Sequence, residues 1–350
     1  MQQFFKNQKM KTIKKTYYFV PIAVCMLGVL ALGYYYFMSS FSKSEETEYV
    51  YIDNDDDIDS VCAKMSDFVP EHNITAFRTM SRHGGYADRI RSGRYAINPG
   101  DNAITVYRNL KNGHQDPIHL TIPESRTMER LAGALSRKLM LDSMTTANSL
   151  LDSAYCARWG YDTATIACIF VPNTYEVYWN TTLDHLMERM QKEHGHFWNG
   201  ERLAKASGLG LTENQVCTLA SILDEETANN QEKPMIAGMY LNRLKINMPL
   251  QADPTVKFAL KNFALKRIYH DMLSYDSPYN TYKNTGLPPG PIKIASVAGI
   301  DAVLNRVAHD YIYMCAKEDF SGTHNFAKTY PEHLRNAARY SKALNERGIK

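Results

Sequence analysis

Three consecutive acidic residues at positions 224–226 stand near the end of a predicted helix and are candidates for acid–base chemistry. A T-x-x-Q capping box at 212–215 marks the start of this helix. With about 100° per residue, Glu226 falls on the face that carries the apolar side chains, whereas Asp224 and Glu225 point elsewhere. The pattern therefore places Glu226 alone on the buried side of the helix.

A buried carboxyl group such as that of Glu226 is costly unless it is paired or protonated. Burial raises the pKa of a carboxyl group, and a raised pKa suits a general acid that works near neutral pH. A purely structural role fits the same pattern, with Glu226 bonded to a buried arginine such as Arg243. Periodicity alone leaves both interpretations open.

A loop at 279–292 (YNTYKNTGLPPGPI) is rich in aromatic, amide, proline and glycine residues. Tyr279 and Tyr282 offer ring faces for sugars, and Asn280 and Thr281 offer hydrogen bonds. The composition fits an open carbohydrate groove, although such loops also serve as plain connectors.

The elements around the acidic helix form an α+β pattern. We expect a helix over 234–244 that turns Tyr240 and Arg243 inward, and a strand end that carries His324. In this half we also expect a polar turn at 248–256 that leads into a helix, a second helix at 301–308, a strand at 311–316 and a terminal helix at 331–342.

The first half of the sequence predicts a small strand–helix–helix–strand module. Its strands are expected at 49–52 and 95–97, and its helices at 57–68 and 73–82. A further helix at 102–113 and a strand at 119–122 follow. A connecting region follows, with a helix from 126 to about 140 capped by Ser125, and a buried strand at 164–171. The segment PNTYEVYW at 172–179 and a helix at 183–192 complete this region.

Residues 17–38 contain no charge in 22 positions and have aromatic residues at both ends. A helix of this length rises about 33 Å, enough for a hydrocarbon core of about 30 Å. Five lysines lie in residues 1–16, so the positive-inside rule predicts a cytoplasmic N-terminus and an extracytoplasmic remainder. A cleaved signal peptide is the alternative, but the apolar run is long and no A-x-A-like site follows it.

The net charge of +3 belongs to the basic tail. Without residues 1–16, the chain has 35 basic against 37 acidic residues, and this balance excludes a nucleic-acid-binding body. The 350 residues predict two or three domains, and 44% hydrophobic and 22% charged residues indicate ordinary globular composition.

No metal site or cofactor is predicted. The acidic run at 53–59 lacks the glycine and the final glutamate of a calcium loop, and His194 and His196 have no third ligand nearby. Cys25 lies in the apolar segment, and none of the five other cysteines has C-x-x-C spacing. Cys156 and Cys168 could form a disulfide, although free buried thiols fit equally well.

Five motifs resemble, in their order and spacing, those of the MltG/YceG-like endolytic murein transglycosylases. Their residues are most similar to those of Bacteroides-like members. These motifs are ASILDEET (220–227), IAGMYLNRL (236–244), MPLQADPTV (248–256), YNTY..TGLPPGPI (279–292) and HNFAKT (324–329). FVPNTYEVYW (170–179) resembles the segment that precedes them in the family. GRYAINPG (93–100) resembles part of a LysM-like module.

The resemblance implies roles for particular residues of the motifs. Glu226 matches the catalytic glutamate, and Asp224 stands as a shortened replacement for the first acid of the family's E-x-E-T motif. The expected substrate-binding residues are Gln251, Asp253, Tyr279, Asn280 and Tyr282. The expected support residues are Asp224, Arg243 and His324.

The fold expected from pattern and resemblance is α+β: one transmembrane helix, a LysM-like α+β module and a mixed α/β YceG-like catalytic domain. The expected segments are a basic tail (1–16), the transmembrane helix (17–38), a linker (39–48), the LysM-like module (49–122), a connecting region (123–205) and the catalytic domain (206–350).

The activity implied by the resemblance is cleavage of nascent peptidoglycan strands at the inner membrane, without a cofactor, by a lytic transglycosylase. A peptidoglycan synthase is the expected protein partner. Two alternatives stay open: a hydrolytic muramidase in which Asp253 holds a water molecule, and a non-catalytic cell-wall-binding scaffold.

Overall fold

A long apolar helix, α1 (Phe19–Met38), begins the part of the chain that the computed structural model describes, residues 19–265 and 267–348. Its mean hydropathy is 1.8, and its most apolar stretch is not buried by the rest of the protein. By length and composition it could cross a membrane. Its last turn, Tyr34–Met38, widens into a π-helix. The predicted basic tail and the first two positions of the predicted span lie outside the described residues.

Two compact units follow from the contacts within the chain. Unit 1 extends to Ile118 and includes Val177–Asn180, and unit 2 comprises His119–Glu176 and the chain from Thr181 onward. The predicted strand–helix–helix–strand order is confirmed in unit 1. Its elements are β1 (Glu48–Ile52), α2 (Ile58–Met65), α3 (Glu71–His83), β2 (Gly93–Ile97) and α4 (Ala103–Asn112).

The two strands of unit 1 are antiparallel, with Glu48 opposite Ile97 and Ile52 opposite Gly93. The side chains of alternate residues, including Val50 and Tyr95, point into a core that α2, α3 and α4 cover. The segment expected to be a polar linker, 39–48, is partly folded onto this core. Phe41 is fully buried, and its N–H donates to the carbonyl of Asp101 at 2.7 Å. Burial of this one aromatic ring thus holds part of the segment against the core, although most of its residues are polar.

Unit 2 is mainly helical and contains two two-stranded sheets, β3–β4 and β5–β6. The elements of its first part are β3 (Ile118–Thr121), α5 (Met128–Ser136), α6 (Ser143–Leu150), α7 (Ser153–Arg158), β4 (Thr174–Val177), α8 (Leu183–Phe197) and α9 (Gly200–Gly208). The elements of its second part are α10 (Glu213–Glu226), α11 (Lys233–Lys245), α12 (Asp253–Ala259), α13 (Val297–Leu304), β5 (Tyr313–Ala316), β6 (His324–Ala327) and α14 (Tyr330–Glu346).

Three predicted elements of unit 2 are wrong in type or position. Thr127, not Ser125, caps α5, because its side chain accepts from the N–H of Arg130. The expected strand at 164–171 is buried but forms a 3-10 helix at Ile166–Ile169. Helix α13 begins at Val297, four residues before the expected 301, since the Ser296 side chain caps it.

Helix α10 is the centre of unit 2. All eight residues from Val216 to Leu223 are buried, and α10 packs against α11, α12 and α13. The capping box of Thr212 and Gln215 is present as predicted. A helix that is apolar all round must be covered all round. The three acids at the end of α10 are therefore surrounded by other elements of unit 2.

Candidate active site

Glu226 is the last residue of α10, and its carboxyl group is held by a tyrosine. The hydroxyl of Tyr240, on α11, donates to Oε1 of Glu226 at 2.7 Å. The helix ends here because Thr227 adopts an extended conformation (φ −145°, ψ 138°). Glu226 is only partly exposed.

The pKa of Glu226 is raised from its ordinary value of 4.5 to about 7, and burial is the main cause. The hydrogen bond from Tyr240 lowers this pKa, while the negative charge of Asp253 raises it further. His324 and Lys257 make smaller contributions that lower it. At neutral pH a large fraction of Glu226 is therefore protonated, which is the state that a general acid needs.

Arg243 does not pair with Glu226, so the structural alternative raised by the sequence is not found. Its guanidinium donates to three backbone carbonyls, those of Ile312 at 2.6 Å, Leu250 at 2.6 Å and Pro249 at 3.4 Å. These bonds tie α11 to the approach of β5 and to the loop before α12. Arg243 thus has a place in the framework around α11, and its expected support role stays a prediction.

Asp224 is buried, although the helical wheel pointed it away from the apolar face. Its Oδ1 lies 2.6 Å from Nζ of Lys233, and both side chains are almost inaccessible. Ser296 donates to it twice, from its N–H and from its hydroxyl, each at 2.7 Å. The carboxylate also lies at the N-terminus of α13, close enough that a Cβ on Gly299 would come within 2.6 Å of Oδ1. The wheel prediction fails because α10 has protein on every side.

Glu225 forms the third distinct environment. Arg126 binds it in a bidentate pair, with Nε–Oε1 at 2.9 Å and Nη2–Oε2 at 2.7 Å. Lys293 lies 3.8 Å from the same carboxylate. Two of the three consecutive acids are therefore paired with cations, whereas Glu226 accepts from the neutral Tyr240 and has no ion pair among the residues that the structure describes.

Asp253 and Tyr282 are joined near Glu226. The hydroxyl of Tyr282 donates to Oδ1 of Asp253 at 2.6 Å, and the charge of Asp253 acts on Glu226. Gln251 is exposed two residues earlier, with a left-handed backbone (φ 51°) whose N–H donates to the carbonyl of Thr281 at 3.1 Å. These three predicted residues have polar groups that can reach a ligand.

Asn280 and Tyr279 lie differently from what the sequence suggested. Asn280 is fully buried, and its amide donates to the carbonyls of Leu273 and Tyr275 at 2.9 and 2.7 Å. It shapes the loop from within, so its expected direct contact with substrate is wrong. Tyr279 is half-buried, with its ring centroid 4.7 Å from that of Phe258.

His324, at the start of β6, is held by a glutamate that sequence reasoning missed. Glu232 accepts from the His324 N–H at 2.6 Å and lies 3.0 Å from its Nδ1. Glu232 also stands directly before α11, the helix that carries Tyr240. The adjacent charges of Glu232 and Lys233, just before the apolar residues of α11, were the available signal for both missed partners.

Among residues 19–265 and 267–348, no group of three or more His, Cys, Asp or Glu side chains is placed to hold a metal ion. The six cysteines are free, including Cys156 and Cys168, so the suggested disulfide between these two is not formed. Lys64 occupies the acidic run that resembled a calcium loop, 2.6 Å from Asp53 and 2.5 Å from Asp56.

Comparison with known proteins shows the family to which this chain belongs. The model of the YceG-like family matches residues 50–339. The chain belongs to the YceG-like family. The predicted family is thereby confirmed, and the match extends through both units.

Relatives of this YceG-like chain carry an enzymatic name. An "Endolytic murein transglycosylase" of Bacillus subtilis (strain 168) is 28% identical over 288 residues, which are 78% of this chain and 79% of that protein. A protein of the same name from Streptococcus pneumoniae (D39) is 25% identical over 299 residues, and the aligned part is about half of its length, 53%. The predicted enzyme class, a lytic transglycosylase, agrees with these names.

A solved structure shares the fold of the YceG-like chain. The 2.6 Å crystal structure of the yceG-like protein lmo1499 from Listeria monocytogenes matches with a TM-score of 0.54 and 25% identity. The match covers 83% of this chain and 99% of that one. The mixed helix-and-sheet class expected from the sequence is confirmed.

Proposed function

We propose that this YceG-like protein is a membrane-anchored lytic transglycosylase that cuts nascent peptidoglycan strands internally. The bond cleaved is the β-1,4 bond between N-acetylmuramic acid and N-acetylglucosamine, and the new end is a 1,6-anhydromuramic acid. The observation that carries the proposal is Glu226, a half-buried residue whose carboxyl group accepts from Tyr240 and has a pKa raised to about 7. The names of the curated relatives support the same activity.

In the proposed reaction, Glu226 acts first as an acid and then as a base. Its proton passes to the glycosidic oxygen while the bond to C1 of muramic acid breaks through an oxocarbenium-like state. The carboxylate then accepts the proton of the C6 hydroxyl of the same sugar, and this oxygen bonds to C1. The proton count is balanced, and no water or cofactor is consumed.

A single carboxyl group suffices in this scheme because the substrate supplies its own nucleophile. An ordinary glycosidase needs two carboxyl groups, whereas an intramolecular hydroxyl attacks at a very high effective concentration. Tyr240 donates to one oxygen of Glu226 and leaves the other to carry the transferred proton. Burial keeps Tyr240 in its protonated, donating form by raising its pKa.

The other predicted site residues receive graded roles. Gln251, Asp253 and Tyr282 are proposed to contact the glycan, since their polar groups lie exposed or half-buried beside Glu226. Asp224, Arg243, His324 and Asn280 are proposed to position these groups through their buried bonds. Tyr279 is proposed to form part of a wall farther along the same unit.

A hydrolytic muramidase is the second candidate, because Asp253 supplies a second carboxylate near Glu226. Its charge raises the pKa of Glu226, so the two carboxyl groups interact. In that reaction a water molecule held by Asp253 would attack C1 and leave a reducing end. Product chemistry separates this reaction from the first.

Anchoring and localisation are part of the proposal. Helix α1 supports a single-pass anchor in the inner membrane, with the basic tail in the cytoplasm and both units outside. Such an anchor would confine cutting to strands that are being polymerised close to the membrane. The protein would then end strand growth beside a peptidoglycan synthase.

The proposed domain division follows the sequence boundaries. Residues 49–122 would form a LysM-like module, 123–205 a connecting region and 206–350 the catalytic domain. The strand–helix–helix–strand order of unit 1 supports the first, and the clustering of polar side chains around the end of α10 supports the last.

The test uses full-length protein in liposomes, uncrosslinked glycan strands and mass spectrometry of the products. We expect internal cuts with anhydromuramic ends, reduced at least about a hundredfold in Glu226→Gln. Glu213→Gln, at the other end of α10, is the matched control and should retain activity. Reducing ends would favour the muramidase, and strands left intact by wild type while a muramidase cuts them would favour the binding scaffold.

A further inference from the structure

A cleft of about 160 Å³ in unit 2 is bounded by charged and aromatic side chains that the proposed reaction does not use. We call it the basic–aromatic cleft. The side chains that define it are Arg126, Lys261, Lys293, Phe258, Phe263 and Tyr279. Its walls therefore combine cations with flat apolar surfaces.

The basic–aromatic cleft reaches toward the end of α10. A neighbouring cavity of about 40 Å³ shares Arg126, Phe258 and Phe263 with it, and adds Glu225 and Lys257 to the wall. Glu225 directly precedes Glu226, and the charge of Lys257 acts on Glu226. The smaller cavity thus has walls in common with the cleft and with the surroundings of Glu226.

The cations of the cleft retain unused bonding capacity. Lys261 is exposed and makes no ion pair or side-chain hydrogen bond with any residue that the structure describes. Arg126 uses Nε and Nη2 on Glu225, and its Nη1 has no partner among the described residues. A guanidinium has five N–H groups, so Arg126 can bind a second carboxylate through Nη1.

The one acidic side chain in the wall is already satisfied. Glu129 lies in the first turn of α5 and bonds to its own backbone N–H and to Thr127, which lowers its pKa. The N-terminus of a helix stabilises this negative charge. Lys293 is bound to Glu124 at 2.8 Å and Arg126 to Glu225 at 2.7 Å. Lys261, whose charge also lowers the pKa of Glu129, is therefore the cation of the wall that has no ion pair among the described residues.

We propose that the basic–aromatic cleft binds the stem peptide of the glycan strand through a carboxylate, beside the sugar held at Glu226. The inference rests on the proposed function and names a further part of its substrate. A stem peptide is a short chain attached to muramic acid, with carboxylates and aliphatic side chains. Lys261 and Arg126 take the carboxylate, and the rings of Phe258, Phe263 and Tyr279 cover the aliphatic parts.

Direct binding tests the cleft without cleavage. Full-length protein in detergent is titrated calorimetrically with a stem tetrapeptide released from strands by an amidase, and with the same peptide after its carboxylates are converted to amides. We expect Lys261→Gln to weaken binding of the acidic peptide about tenfold, as loss of one charge-assisted bond does. Phe263→Ala should weaken binding of both peptides, and Lys342→Gln on α14 is the matched control. Equal affinity in wild type and Lys261→Gln, or no binding by wild type, would overturn the proposal.

Cleavage tests the same cleft during turnover. Wild type is given intact strands and strands stripped of peptides, and the ratio of the two kcat/KM values is measured. We expect the ratio to exceed one, to fall toward one in Lys261→Gln and to be kept in Lys342→Gln. A ratio that does not respond to Lys261→Gln contradicts peptide binding. Peptide binding without cleavage of either strand would instead contradict the proposed reaction alone.

Discussion

The hydroxyl of Tyr240 donates a 2.7 Å hydrogen bond to Oε1 of Glu226, and this pair distinguishes Glu226 from the two acids before it. Asp224 and Glu225 each pair with a cation, whereas Glu226 accepts from a neutral phenol. A neutral phenol stabilises a carboxylate less than a lysine or arginine does, so burial still raises the pKa of Glu226 to about 7. The raised pKa of Glu226 suits proton exchange near neutral pH.

Replacement of Tyr240 by phenylalanine should move the pH profile of cleavage to higher pH. The hydrogen bond lowers the pKa of Glu226, so its loss raises that pKa. Because the reaction needs protonated Glu226, the alkaline limb of kcat/KM should shift upward, while the rate at the optimum falls severalfold as the carboxyl loses its orientation. The exposed Tyr330→Phe variant should keep the wild-type profile. A shift of the limb to lower pH would contradict the assigned direction.

Replacement of Asp253 by asparagine should move the same limb in the opposite direction. The negative charge of Asp253 raises the pKa of Glu226, so its removal lowers that pKa. In the transglycosylase reaction the variant should still form anhydromuramic ends, with the alkaline limb at lower pH. If Asp253 instead holds a nucleophilic water, the variant should lose hydrolysis altogether. Mass spectrometry of products across the pH series distinguishes these results.

Glu226 should also cost the folded protein stability at alkaline pH. Its folded pKa of about 7 exceeds the ordinary 4.5, so the native state binds more protons than the unfolded state between these values. The free energy of unfolding therefore falls as pH rises from about 4.5 to 7, by up to about 3 kcal/mol. Glu226→Gln cannot ionise and should be more stable than wild type at pH 8 but equal at pH 4. Urea unfolding at both pH values measures this, and an equal difference at both would contradict it.

The sequence singled out Glu226 among the three acids, but the helical wheel described only part of its surroundings. The wheel assumes one buried face, whereas α10 is covered on all sides from Val216 to Leu223. The eight uncharged residues of this stretch were a signal for a central helix. Asp224 lies on the side of α10 that the wheel predicted to be exposed. It is buried there because it forms an ion pair with Lys233, nine positions later.

Long-range partners were the part of the site that local patterns could not supply. Arg126 meets Glu225 across 99 positions of sequence, and Glu232 meets His324 across 92. The amide of Asn280 looked suited to a sugar, yet it is bonded to the carbonyls of Leu273 and Tyr275, just before the loop. Periodicity records which face of an element is buried, but it does not record which polar groups meet inside.

The buried Asp224–Lys233 pair should be essential to the framework that holds Glu226. Asp224→Asn leaves the Lys233 ammonium inside unit 2 without its counter-charge, and breaking a buried pair in this way costs about 3–5 kcal/mol. Denaturant unfolding of the full chain in detergent measures the loss. Asp276→Asn, which breaks an exposed pair with Lys283, is the matched control and should leave the unfolding midpoint unchanged.

The double variant Asp224→Asn, Lys233→Met then separates charge from packing. Removing both charges should restore part of the stability lost in Asp224→Asn, because no uncompensated ion remains inside. Activity should not recover to the same extent, since Ser296 and the N-terminus of α13 also lose the carboxylate that fixes them to the end of α10. If Asp224→Asn unfolds at the same denaturant concentration as Asp276→Asn, the pair does not hold the end of α10 in place.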